Sequence, residues 1–298
     1  MTTQTARAVV PPPSRRRRPE KRRPPRLRTV LIAGSAYLIG VIFLLPYLEM
    51  IITAMRPSNE LKDRNLLPHH FSFSAFTNVW HSGAGETGLG TNLGVSLEIS
   101  IGATLLVLLV AVPAAYYTAR RNFRGKGLFL LLVLITQMFQ PTAMIVGIYR
   151  EFLQFDMIDS VWALILVNAG FNMAFAVWIL NAYFSAIPKE IEEAAIVDGC
   201  SRVGAMFRVI IPLAMPGLVT ALIFTFIAAW NEFIVALTLT TSVNHQPLTV
   251  KTATYIGEYA TDWQHLFAGS VIATIPVIIL FALIEGKVVS GLTAGSVK

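Results

Sequence analysis

The sequence predicts an all-α membrane protein with about six transmembrane helices and both termini in the cytoplasm, and three observations predict it. Composition is the first: 54% of the 298 residues are hydrophobic and 14% charged, and the mean hydropathy is +0.61, outside the usual range of a soluble domain. The second is distribution. The apolar residues gather into runs near the roughly 20 residues that a helix needs to cross about 30 Å of hydrocarbon. The third is charge sorting: with the amino terminus inside, the inner segments hold nineteen of the twenty-four Lys and Arg, and the outer segments hold five, as the positive-inside rule requires.

Taken in order, residues 1–28 mix proline with Arg15, Arg16, Arg17, Arg18, Lys21, Arg22, Arg23, Arg26 and Arg28. So few apolar residues cannot offset the entropy of ordering, so a disordered basic cytoplasmic tail is expected, suited to anionic lipid. Nucleic-acid binding competes for such a charge run, but this run leads straight into an apolar helix and would be held at the membrane. A twin-arginine export signal fits poorly, because the apolar stretch is too long and no small-residue cleavage site follows. Residues 29–298 form the transmembrane domain, with spans expected at 29–52, 93–118, 128–148, 160–181, 214–238 and 266–284.

Pro46, Pro113, Pro141, Pro216 and Pro276 fall inside these spans, where each removes a backbone donor and favours a kink. Glu98, Gln137, Gln140, Asn168, Asn172, Asn231 and Glu232 lie in or near them. Hydrocarbon offers no hydrogen bonds, so such groups face a bundle interior, a subunit interface or a water-filled path. Singly each is explained by interhelical bonding; as a set they outline a path. Trp230, Asn231 and Glu232 are the aromatic, amide and carboxylate cluster best suited to a polar solute, although packing accounts for it equally well. The single cysteine, Cys200, excludes an intrachain disulfide and a CxxC pair.

The loop of residues 187–212 is too polar to span and too patterned to be a linker. Pro188 suits a helix start, and Glu190, Glu192 and Glu193 favour the positive end of the helix dipole. Ile191, Ala194, Ala195 and Asp198 recur at helical spacing, and Gly199 is free to adopt the left-handed conformation that ends a helix. A second amphipathic stretch through Val203, Met206, Phe207 and Ile210 reaches Pro212. The expected element is helix, glycine turn, helix along the inner membrane face, which serves either as an interfacial anchor or as a handle for a cytoplasmic partner.

In this loop Glu193-Ala194-Ala195, then Gly199, then Val209, Ile211 and Pro212 resemble the EAA loop of ABC importer permeases, with Val209, Ile211 and Cys200 as mild departures. The stretches 91–96, 229–233 and 291–298 resemble the carbohydrate branch, in particular the maltose-type permease without a large periplasmic insert. The resemblance covers roughly residues 29–298. It implies a type I ABC importer permease fold, a heterodimer with a second permease, a pair of ATPase subunits and an extracytoplasmic solute-binding protein, with a sugar or sugar-like cargo. Glu193, Ala194, Ala195, Asp198, Gly199 and Pro212 would then couple the spans to the ATPase, residues 291–298 would touch the ATPase pair, and the outer loop of Tyr255, Tyr259 and Trp263 would meet the binding protein. The chain has no GxxxxGK[ST] phosphate loop, so ATP and Mg would be held by the partner and this chain would need no cofactor and be no enzyme itself. An ABC permease for a non-sugar solute and an ion-driven carrier using Glu98 and Glu232 remain the alternatives. No HExxH or GxSxG motif supports an intramembrane enzyme, and His69, His70, His81, His245 and His265 lack ligand spacing.

Overall fold

In the computed structural model, residues 27–60, 65, 68–81, 88–257 and 259–294 are described. The basic tail of residues 1–26 and the extreme carboxyl end, residues 295–298, lie outside them. The described residues are helical throughout except for loops and one isolated bridge between Ile256 and Thr261.

Contacts divide the chain into residues 1–47 and 48–298. The first unit holds most of helix α1 (Leu27–Ala54), which is apolar on every side; Leu31, Leu38 and Phe43 are all exposed. The second unit holds the short helix α2 (Ser74–Trp80) and a bundle of long helices: α3 (Leu89–Arg120), α6 (Val161–Ala186) and α12 (Trp263–Ala294). Between them come α4 (Lys126–Thr136), α5 (Pro141–Gln154), α7 (Lys189–Val197), α8 (Arg202–Leu213), α9 (Met215–Trp230), α10 (Ile234–Leu239) and α11 (Leu248–Ala253).

The centre of the bundle is α3 against α6 and α9. Small side chains permit the approach: Ala103, Val107, Ala111 and Ala115 of α3 are fully buried, as are Ala163 and Ala176 of α6 and Ala221 of α9. Where lipid surrounds the helices and supplies no net hydrophobic drive between them, such close backbone packing is what holds them together. A Cβ on Gly102 would stand 2.8 Å from the end of the Ile165 side chain, so a larger residue there would make Ile165 shift. Buried hydroxyls bond back to the preceding turn, Ser100 to Ser96 O and Thr104 to Ser100 O, which spares the hydrocarbon an unpaired donor.

Among the described residues, four helices are long and apolar enough to span, and two further pairs are bent. The span expected at 128–148 is instead α4 and α5 meeting at 93°. The cause is local: Pro141 opens α5, and it forces Gln140 into an extended conformation (φ −82, ψ 140) that no helix continues through. Likewise the span expected at 214–238 ends at Trp230 and resumes only as the short α10. At its other end α9 meets α8 at 77°, with Pro216 in its first turn.

Candidate functional site

Three regions of the second unit gather polar side chains. The first is the loop from Ile187 to Pro212. Helix α7 runs Lys189–Val197, Asp198 caps it, and Gly199 then takes φ +92, the left-handed turn that the pattern requires. Ser201 caps the next helix, its hydroxyl accepting from the Gly204 N–H at 3.1 Å, and α8 contains a π-turn over residues 206–210.

This loop is bolted to the end of α3. Arg120 Nε lies 2.9 Å from Glu192 Oε2, with both side chains nearly out of solvent (7% and 11% exposed). The Tyr116 hydroxyl donates to Glu192 Oε1 at 2.6 Å, and Arg120 donates to the Ile187 carbonyl at 2.7 Å. Arg120 Nε and Glu192 Oε2 are close yet not aligned as a hydrogen bond, so their attraction is Coulombic, while Tyr116 supplies the directed bond. The sequence places Glu192 only in the first turn of α7; Arg120, its partner, is invisible at that separation. The six motif residues divide by face: Ala195 is buried toward the bundle, whereas Glu193, Ala194, Asp198, Gly199 and Pro212 are exposed. Val197, at 87% exposure, extends the outward face.

The second region is a recess of about 240 Å³ where the α4–α5 break meets α6 and the end of α9. Gln137, Gln140, Asn168, Asn172 and Glu232 line it, with Phe139 and Phe171. The sequence scatters these residues over three expected spans; the breaks at Pro141 and after Trp230 bring them together. Asn168 and Asn172 each spend one N–H on their own helix, on Leu164 O and Asn168 O, and Gln137 donates to Phe171 O at 3.2 Å. Among the described residues no donor reaches their amide oxygens. Glu232 accepts from the N–H groups of Val235 at 2.7 Å and Ala236 at 2.9 Å, which caps α10.

Of the cluster at 230–232, only Glu232 lines this recess. Trp230 is 4% exposed, stacks on Phe226 and donates to Ala273 O at 3.2 Å; it packs α9 against α12. Asn231 bonds back to Ile227 O. The helix end at Trp230 is what separates three consecutive residues into three environments.

At the opposite end of α6, a carboxylate ties down the stretch 241–246. Asp159, itself at φ +62, accepts from the N–H groups of Thr241 and Ser242 at 2.9 Å each, from the Ser242 hydroxyl, and contacts His245 Nδ1 at 3.1 Å. Burial alone would raise its pKa, but the bonds from Ser242, Thr241 and His245 outweigh it and hold the carboxyl well below the usual range. Asn92 reinforces the same stretch by donating to Val243 O and Gln246 O.

A family model described as the binding-protein-dependent transport system inner membrane component matches residues 91–289. The chain belongs to this family. This permease is 32% identical to the sulfoquinovosyl glycerol transport system permease protein of Agrobacterium fabrum, over 90% of this chain and 92% of that one. It is 31% identical to the trehalose transport system permease protein of Mycobacterium tuberculosis, covering 86% and 92%, and 30% identical to the trehalose/maltose transport system permease protein of Thermococcus litoralis, covering 91% and 98%. Its fold matches a crystal structure of a bacterial ABC transporter involved in alginate import with a TM-score of 0.73, over 88% of this chain and 98% of that one at 23% identity. The permease is therefore an inner-membrane subunit of an ABC importer and not itself an enzyme. Its family works with a solute-binding protein and a separate ATPase. Membership favours the ATP-driven importer over the ion-driven carrier.

Proposed function

We propose that this permease forms half of the translocation pathway for a sugar or oligosaccharide and is driven by a separate ATPase dimer through the loop of residues 187–212. Five curated relatives are named for the transport of a sugar or glycoside, which supports the cargo class. The observation that carries the coupling assignment is the division of α7 into two faces. Glu192 and Ala195 fix the helix to the bundle, and Glu193, Ala194, Val197 and Asp198 are left outward on a rigid base. A handle that transmits nucleotide-driven closure needs both properties, because a force applied to a loosely held loop is dissipated before it reaches the spans.

In this reading Glu193 pairs with a basic group of the ATPase, the alanines permit close approach, and Gly199 makes the turn. A second permease completes the pathway as a heterodimer, and both termini are cytoplasmic, in keeping with the charge sorting. ATP and Mg sit on the partner. Tyr255, Tyr259 and Trp263 face the extracytoplasmic binding protein.

The test is purification of a tagged chain in mild detergent from its native host, with mass spectrometry of what accompanies it, followed by uptake in liposomes. Recovery of a phosphate-loop ATPase, a second permease and a binding protein, with uptake that requires ATP, is expected. Uptake by the chain alone without ATP would overturn the reading.

A further inference from the structure

We infer that the recess between the end of α3 and the α7–α8 loop is a binding site for a phosphate group, carried by an anionic lipid headgroup or by a free phosphorylated solute. The site goes beyond the proposed function, on which only its placement at the inner membrane face rests. Three features carry it.

The first is charge. The recess measures about 280 Å³, and Arg120 and Arg121 at the end of α3, Lys189, Glu192 and Glu193 of α7 and Arg202 at the start of α8 line it. The two carboxylates are unequal. Glu192 is already committed to Arg120 and to the Tyr116 hydroxyl, which leaves Glu193 alone beside three further cations. None of Arg121, Lys189 and Arg202 makes an ion pair or a side-chain hydrogen bond with a described residue. A concave surface with an excess of one sign of charge concentrates the opposite ion.

The second is a buried donor without an acceptor. The Arg120 side chain is 7% exposed, and its Nη1 donates to Ile187 O. Its Nη2 is buried and has no hydrogen-bond partner among the described residues. Such a donor is costly to leave unpaired. Arg120 stands in the wall of the recess, so an anion bound there supplies the missing acceptor. Phosphate oxygens are the acceptors that fit the planar guanidinium fork best.

The third is setting. Basic pockets at the inner ends of membrane helices suit lipid phosphates. Tyr117, in the same wall and exposed, is of a residue type enriched at headgroup level. An occupied site adds a further tie between α3 and the loop, beside the contacts of Arg120 with Glu192 and Ile187.

The experiment purifies the permease with its accompanying subunits and compares it with the double variant Arg121→Gln, Arg202→Gln. Both positions are exposed, so packing is preserved. In one arm, inorganic phosphate is titrated against chloride at matched ionic strength in neutral detergent, and the melting temperature of the permease is followed. In the other, melting is followed in nanodiscs of phosphatidylcholine with and without an equal share of phosphatidylglycerol. Phosphate sites on an accompanying ATPase contribute equally to both proteins and cancel in the comparison. The native protein is expected to be stabilised, with an apparent affinity about tenfold higher than that of the double variant, for two charged partners. A difference seen only with inorganic phosphate assigns the site to a free solute, and one seen only with phosphatidylglycerol assigns it to a headgroup. Should the double variant fail to assemble, Lys189→Gln at the exposed start of α7 gives a smaller loss in the same direction. Equal responses of native and variant proteins in both arms overturn the site.

Discussion

Two loops at opposite ends of α6 are each pinned by one carboxylate, and they are pinned by different chemistry. At the Ile187 end, Glu192 is buried against Arg120 and Tyr116. At the Asp159 end, a carboxylate that is one-quarter exposed collects backbone and hydroxyl donors from Thr241 and Ser242. The first arrangement is expensive to break, because removing either partner strands a charge in a low-dielectric site. The second distributes its hold over several modest bonds that water can partly replace. On the proposed function, the stiff mounting belongs to the loop that would transmit force and the replaceable one to the loop that would meet the binding protein.

Breaking the stiff mounting has the largest expected effect. Glu192→Ala leaves Arg120 buried without its counter-charge and should cost about 3–5 kcal/mol at the α7 contact. It is read as loss of the ATPase from the detergent-purified complex and as a lowered melting temperature. Glu193→Ala, one residue away on the exposed face, should leave melting unchanged and lower uptake per ATP hydrolysed; equal effects of the two substitutions would erase the distinction between faces.

Asp159→Asn tolerates the left-handed backbone while removing the charge, and should cost about 1–2 kcal/mol, a hydrogen bond to a charged group being stronger than one to a neutral amide. Its pH dependence sharpens the comparison. A carboxyl whose folded pKa is depressed stabilises fully above its unfolded value near 4 and loses that contribution as pH falls toward the folded value. The stability gap between the native protein and Asp159→Asn should therefore be level from about pH 8 to 5 and narrow only below about 4. A gap that closes near neutrality would place the hold elsewhere.

Gly199→Val forces a β-branched residue into φ +92, costing about 1–2 kcal/mol. Membrane insertion should survive, while ATP turnover is uncoupled from uptake; normal uptake would remove Gly199 from the coupling path. Ser201→Ala, which deletes the cap on the Gly204 N–H, is the mildest, about 1 kcal/mol, with partial uncoupling measured in the same assay.

The legible parts of this molecule were those written in adjacent residues. The turn at Gly199 and the start of α7 after Pro188 follow from local propensities, and α3, α6 and α12 follow from length and hydropathy. What escaped was tertiary. Glu192 carries the same local signal as Glu190 and Glu193; only the arrival of Arg120 at the end of α3 distinguishes it. Pro141 was visible as a kink, but a proline tells neither the angle nor that the break would align Gln140 with Asn168, Asn172 and Glu232. Trp230, Asn231 and Glu232 are neighbours in sequence but not in environment: Glu232 accepts two backbone N–H groups beyond the end of α9, while Trp230 packs against α12.

The most direct test of the account is capture of whatever touches the outward face of α7. A photo-cross-linking residue at Val197, the most exposed large hydrophobic residue of that helix and outside the motif, is introduced into the assembled importer and irradiated with and without ATP. The account predicts an adduct with the ATP-binding subunit whose yield changes with nucleotide. An intact complex that yields no such adduct would contradict it.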